Sequence, residues 1–457
     1  MAELPAFLNR GILKRLLRNP LTQRVLRNSG YMLSGNTVSA ALGMIQSILA
    51  ARLLGVEAFG LLGVITVFAS VVNQLTSFRM GEWVINFVGE FSAEGRHRHA
   101  AAAFKAGAMA EMSSSILAFV LIIALAPLGA RFLAHDPGTA WLFSLYGLMV
   151  LANLIAESSA GLLQYFDRYR TLAAITIAQS ALTLGMIGAA FIAKAGLAAI
   201  VLAYLGGKII WAVAVTLAAL VEAGRQWGRG WWLAPLSLLR ERGRSMLRFG
   251  VSTNLTSTLT LVTRDSEVLW LGALSSPLQV GYYKVARAII NMLLIPVQPL
   301  ISTTYREVAR EIAARQWLNV RYLLRSGSLI SGVYSVATAL ILAFFGRYIV
   351  GLYGQEFLPA AYYSLAILLL GVTVVNTLYW NRIILLPLGL PEYPTKVTLV
   401  AALVKIALVL VLVPSLGAQG MAISLSAFFL GTGSVLAWKT LQRLRASAEA
   451  TEVAAMG

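Results

Sequence analysis

Cysteine is absent from the 457-residue chain, which excludes disulfides and thiolate chemistry. Histidine is almost absent. His97, His99 and His135 fall in predicted loops with no acidic partner to complete a metal site, so they read as surface residues and no metal is expected. Charge is scarce as well: 12% of residues are charged against 58% hydrophobic, and the mean hydropathy is +0.75. A soluble domain carries about 25% charged residues. No soluble core of this length needs so much apolar surface, so the expected solvent is lipid. A nucleotide-binding loop is missing too. Gly206-Gly207-Lys208 lacks the following Ser or Thr and lies inside an apolar run. Energy for any work must then come from an ion gradient, the membrane potential or a downhill substrate gradient, and no cofactor is expected. No cleavable signal is expected, since the first long apolar run begins after Arg27 and continues past signal-peptide length.

What is abundant is positive charge, with a formal net of +18. In a membrane chain this marks cytoplasmic loops rather than a nucleic-acid partner. Runs of roughly 20 apolar residues fall near 29–51, 60–88, 103–126, 138–163, 171–193, 197–221, 247–272, 278–303, 325–346, 360–386, 395–413 and 419–438. With the N-terminus inside, most cations lie on one side: Arg10 to Arg27, Arg225 to Arg248, Arg306 to Arg325, and Lys439 to Arg445. The other side shows only Arg52, Arg131, Lys194 and Arg347. That asymmetry places both termini in the cytoplasm. The outer loops are short, the longest near 127–138 and 347–359, which leaves no room for an external catalytic domain. An enzyme is therefore not expected. Leu8, Ile12, Leu13, Leu16 and Leu17 share a helical face ringed by Arg10, Lys14, Arg15 and Arg18, the pattern of a helix lying on an anionic leaflet. Trp227, Trp231 and Trp232 read as interfacial anchors. The small polar tail after Arg445 reads as disordered.

The chain resembles itself at a shift of about 220 residues. Arg27-Asn28-Ser29-Gly30 leading to Asn36 matches Leu247-Arg248-Phe249-Gly250 leading to Asn254. The turn Leu54 to Gly60 matches Leu274 to Gly281, and Ala195-Gly196-Leu197-Ala198 matches Gln419-Gly420-Met421-Ala422. An even number of spans per copy keeps the copies parallel, and sites in such folds lie between them. The expected fold is an all-α polytopic membrane protein: about 12 transmembrane helices in two parallel six-helix bundles around a central cavity. The expected segments are 1–28, a basic amphipathic stretch; 29–221, the first bundle; 222–246, a cytoplasmic linker; 247–438, the second bundle; and 439–457, a tail.

Charges inside the predicted spans carry the functional reading. The cations are Arg79, Lys208, Arg264, Lys284, Arg287, Arg382 and Lys405. The acids are Glu82, Glu111, Glu157, Asp265 and Glu267. An ionised group at mid-bilayer costs about 2.5–3.5 kcal/mol, so these groups must face one another or water. Their spacing agrees. Thr253, Ser257, Thr260, Arg264 and Glu267 form one polar stripe; Lys284, Arg287, Asn291 and Gln298 another; Arg79, Glu82, Asn86 and Glu90 a third; Asn153, Glu157 and Gln164 a fourth. Four such helices describe the wall of a hydrated chamber. Arg79 with Glu82, and Arg264 with Glu267, sit at i,i+3 and read equally well as structural pairs. Lys208, Lys284, Arg287 and Lys405 have no acid at such spacing on their own helices, which makes them the better candidates for a ligand anion. Arg382 lies near a span end and can snorkel. Glu111 and Glu157 are candidate proton carriers.

Ala51-Arg52-Leu53-Leu54-Gly55-Val56-Glu57-Ala58-Phe59-Gly60-Leu61 resembles the first external turn of polysaccharide transporters. These are the O-antigen-type flippases of the multidrug/oligosaccharidyl-lipid/polysaccharide (MOP) superfamily. Gly281-Tyr282-Tyr283 with Ala286-Arg287 is similar to the equivalent turn of the second half. The resemblance implies a flippase for polyprenyl-diphosphate-linked oligosaccharide in a bacterial inner membrane, working by alternating access. Its partners would be the bilayer and other polysaccharide-assembly proteins. On this reading Arg79, Lys208, Arg264, Lys284, Arg287 and Lys405 meet the diphosphate or an acidic sugar. Glu82, Glu111, Glu157, Asp265 and Glu267 are left for ion coupling. The alternatives are a drug or metabolite antiporter, a membrane glycosyltransferase or polymerase, and an assembly scaffold.

Overall fold

The computed structural model describes residues 20–77, 79–250 and 261–456, with no strand among them. Among the described residues, ten helical segments are long and apolar enough to cross a membrane. The first, Gly30–Ala93, has 64 residues, or about 96 Å at the helical rise, roughly three times a bilayer core. It bends back at Gly55, whose φ of 71° a side chain would resist. The apolar side chains that face outward fit lipid. Leu329, Val333 and Phe344 are 67%, 62% and 75% exposed on one helix, Trp317–Gly351, and water would not favour such a face.

In chain order the helices are α1 (Pro20–Thr76), α2 (Met80–Ala93), α3 (His97–Phe132), α4 (Ala140–Ala152), α5 (Ala156–Tyr165), α6 (Tyr169–Ile192), α7 (Leu197–Trp227), α8 (Glu267–Leu274), α9 (Pro277–Leu294), α10 (Gln298–Ala313), α11 (Trp317–Gly351), α12 (Ala360–Thr377), α13 (Tyr393–Leu416) and α14 (Ala418–Met456). Several runs that read as single spans are discontinuous. The run 60–88 breaks before Met80, where Arg79 is left-handed at φ 51°. The run 138–163 breaks between α4 and α5, and 278–303 tightens into a 3₁₀ turn at Ile295–Val297 around Pro296. The run 247–272 passes through a π-helical turn, Leu261–Asp265. The run 360–386 leaves helix at Thr377 and continues as turns to Leu390. Irregular backbone survives at membrane depth only where protein buries it or it lines a wet cavity.

Packing divides the molecule. One apolar cluster joins both halves of the chain, with Ala50 to Val72, Ala118 to Val150 and Ile187 to Leu205 on one side, and Leu271 to Leu293, Leu342 to Val372 and Val409 to Phe429 on the other. At the opposite end two separate clusters stand. One holds Met80 to Phe104, Leu162 to Leu172, Val215 to Ala223 and the chain leaving them at 234–249. The other holds Val297 to Leu324, Tyr379 to Leu388 and Ala437 to Leu444. Among the described residues the halves are thus fused at one end and parted at the other.

The fused end has a reciprocal core. A Cβ on Gly60 would overlap the Pro277 carbonyl oxygen, and a Cβ on Gly281 would overlap the Val56 carbonyl oxygen. Pro277 and Gly281 follow Val56 and Gly60 by the same 221 residues, so corresponding turns of the two repeat copies cross backbone to backbone. Small residues permit such an approach in lipid. Further links surround it. Arg52 Nε donates to the Leu352 carbonyl at 2.6 Å, and His135 Nε2 lies 2.8 Å from the Gly272 carbonyl. Phe59 meets Phe357 edge to face at 6.0 Å. His135 is therefore a bridge between halves rather than a plain surface residue, while His97 and His99 open α3, His97 exposed and His99 half-buried against Phe91.

At the parted end, Arg242 pairs with Glu90, and Trp83 Nε1 donates to the Met246 carbonyl at 3.3 Å. These bonds fasten the linker to the first half. Trp227 and Trp231, read as interfacial anchors, pack together at 6.0 Å and against Phe104; Trp232 alone stays 55% exposed. The tail differs from expectation: α14 runs on to Met456, because the Ala- and Glu-rich stretch after Arg445 favours helix. Residues 1–19 of the basic stretch 1–28 lie outside the described residues, as do Thr253, Ser257 and Thr260.

Candidate functional site

The C-terminal half gathers its charges around one carboxylate. The π-helical turn widens the backbone just before α8 and turns Glu267, in the first turn of α8, inward until it is 3% exposed. Lys405 of α13 donates to Glu267 Oε1. Tyr283 of α9 donates to Glu267 Oε2 at 2.5 Å, and Arg287, one turn further along α9, holds its Nε 3.8 Å from the same oxygen. Two cations thus share one acid, so the cluster carries surplus positive charge. Arg287 Nη1 is buried with no hydrogen-bond partner among the described residues. Arg264 sits over the Phe429 ring at 5.3 Å, within electrostatic reach of Arg287 and Arg382. Asp265 is exposed.

Lys284 lies elsewhere. Its ammonium rests 4.0 Å from the Phe59 ring centroid and 3.4 Å from the Phe59 carbonyl, inside the fused end. A cavity of about 390 Å³ lies in the groove between α13 and α14. Val400, Val404, Leu408, Phe428 and Val435 line it, with Lys405 in its wall.

The N-terminal half treats its acids differently. Glu111 of α3 accepts the backbone N–H groups of Glu157 and Ser158 at 2.8 and 2.7 Å. These are free donors at the start of α5, so a carboxylate is stabilised there by the helix end. Glu157 Oε2 accepts from Ser77 Oγ at 3.3 Å, and Arg79 pairs with Glu82 across one turn. The broken ends of two spans therefore meet. Gly81 and Gly161 bring α2 and α5 into backbone contact there. Glu90 lies apart from this group, paired with the linker.

Lys208 of α7 stands alone, with no ion pair or hydrogen bond among the described residues. It lines a cavity of about 370 Å³ with Met32 and Asn36 of α1, Gln164 of α5, Thr176 and Gln179 of α6, and Trp211 of α7. The structure thus sorts the six candidate cations. Arg264, Arg287 and Lys405 form one group, while Arg79, Lys208 and Lys284 each have separate surroundings. Two participants escaped the sequence reading. Tyr283 is four residues before Arg287, and Trp211 is three after Lys208; both spacings place them on the same helical faces as those cations.

Fused at one end, parted at the other and broken where polar groups gather, the architecture is that of a multi-pass membrane protein with the fold of MOP-superfamily transporters. A multidrug-resistance transporter of that superfamily, of the MATE family and in an inward-facing conformation, superposes with a TM-score of 0.74 at 13% identity, over 90% of this chain and 96% of its own. The lipid II flippase MurJ, in an inward closed conformation, gives 0.67 at 12% identity, over 92% and 90%. The inner membrane protein YghQ of Escherichia coli (strain K12) is 21% identical over 354 residues, 74% of this chain and 94% of that protein. Residues 25–305 match the model of the polysaccharide biosynthesis protein family, and the chain belongs to that family.

Proposed function

We propose that the protein is a flippase that carries a polyprenyl-diphosphate-linked oligosaccharide across the bacterial inner membrane for cell-surface polysaccharide assembly. Two six-helix bundles, making twelve crossings with both termini cytoplasmic, alternate access to a chamber between them. The observation that carries the reading is the Arg287 cluster. A buried guanidinium nitrogen without a partner is costly; the buried carboxylate Glu267 is already shared with Lys405, and Asp265, within electrostatic reach of Arg264 and Arg287, is exposed. An anion placed against Arg287 and Arg264 would satisfy the orphan nitrogen and balance the surplus charge. Guanidinium groups bind phosphate oxygens bidentately, so a diphosphate fits the site. The aliphatic cavity beside Lys405 suits the isoprenoid chain that such a head group carries. A cationic drug would be repelled at the same place, which weighs against the antiporter reading. Membership in a polysaccharide biosynthesis family and the MOP fold support the same substrate class.

The test is transfer between leaflets of liposomes loaded with a fluorescent polyprenyl-diphosphate oligosaccharide. Wild-type protein should move the lipid where empty liposomes do not. Arg287→Gln, folded by its melting curve, should slow movement by about tenfold or more, the loss of one charged hydrogen bond. Folded wild-type protein that moves no lipid across several sugar lengths sinks the flippase reading. Unchanged movement in Arg287→Gln sinks the anion role alone.

A further inference from the structure

We infer that the cavity around Lys208 is a separate subsite for one acidic sugar residue of the transported glycan. The inference rests on the transport reading above and assigns the sugar to the N-terminal half, away from the Arg287 cluster. Three features of the cavity point to this ligand class. First, among the described residues Lys208 is the one charged group lining it, and no acid lines it. Second, its polar side chains are amides and a hydroxyl, Asn36, Gln164, Gln179 and Thr176. Gln179 is anchored through Nε2 to Thr183 Oγ1 at 2.9 Å, while the side-chain amides of Asn36 and Gln164 make no hydrogen bond among the described residues. Amides both donate and accept, which matches sugar hydroxyls. Third, Trp211 supplies an aromatic face, against which the C–H face of a pyranose ring packs.

A diphosphate fits these surroundings poorly. It has at least two charges and no apolar face, whereas the cavity offers one ammonium and no guanidinium. A hexuronate presents one carboxylate, several hydroxyls and a C–H face. The volume of about 370 Å³ lies in the range of small-ligand pockets, about 300–1,000 Å³. Four helices contribute, so the subsite exists only in the folded half. It lies near the ends of α5 and α6 that belong to the separate N-terminal cluster, toward the parted end of the molecule.

Equilibrium binding to the purified full chain in detergent tests the inference without any transport step. The probes are methyl β-glucuronide and methyl β-glucoside, which differ only in the C6 carboxylate, and inorganic pyrophosphate. Wild-type protein should bind the glucuronide about tenfold more tightly than the glucoside, the value of one charge-assisted hydrogen bond. Lys208→Met should bring the two sugars within about twofold, Lys208→Arg should keep most of the preference, and Trp211→Leu should weaken both sugars alike. Equal binding of the two sugars by wild type overturns the inference, as does binding of neither. So does a preference that survives in Lys208→Met, or pyrophosphate binding that Lys208→Met abolishes while glucuronide binding stays. Glucuronide binding without lipid movement in liposomes would instead leave the subsite standing and remove the flippase reading.

Discussion

The two halves bury a carboxylate to the same degree and neutralise it by opposite means. Glu267 is 3% exposed and Glu111 is 5% exposed. Glu267 takes counter-charge from side chains on two other helices, Arg287 and Lys405. Glu111 takes it from backbone N–H groups at the start of α5. The first solution leaves a net cation behind and needs every partner present. The second adds no side-chain charge, because the broken span itself is the counter-ion.

Substitutions can break or sharpen this contrast, and thermal unfolding in detergent reads each of them. The largest loss should come from Glu267→Gln, which strands Lys405 and Arg287 without an acid. Breaking a buried pair in this way costs about 3–5 kcal/mol. Adding Lys405→Met to Glu267→Gln should recover part of the loss, since the stranded charge goes too. A loss below about 1 kcal/mol would mean that the cluster is wet and behaves as a surface pair. Glu111→Gln should cost less, about 1–2 kcal/mol, because the amide oxygen still accepts one N–H and no cation is stranded. A loss as large as that of Glu267→Gln would erase the contrast. Arg79→Gln should cost least, under about 1 kcal/mol. Its bond to Glu82 joins side chains that are 44% and 49% exposed, and solvent screens such a pair.

What the sequence made legible follows from range. Arg79 with Glu82 was readable because a helix turn fixes i,i+3 neighbours, and the structure pairs them. The turn at Gly55 and its counterpart before Gly281 were readable from the repeat, although nothing in one copy says that it packs against the other. Lys405 is 138 residues from Glu267, and no spacing rule reaches so far. Arg264, the i,i+3 neighbour of Glu267, turns instead to Phe429, because the π-helical turn shifts the register between them. The helix breaks were the harder omission. Hydropathy averages over a window, so Asn153 or Pro296 inside an apolar run lowers the mean too little to interrupt it. A polar or Pro residue at mid-run was the available signal. Glu111 could not be placed until the break at 153–155 supplied its partners.

The crossing of Gly60 over Pro277 and of Gly281 over Val56 ties the two copies together in length as well as in sequence. One residue inserted between Val56 and Gly60 would swing the glycine about 100° around its helix and drive a side chain against a carbonyl group of the other half. A rotamer cannot relieve an overlap with backbone. Neither repeat copy can therefore change its turn-to-glycine distance independently of the other. The two crossings thus act as a common ruler between the halves.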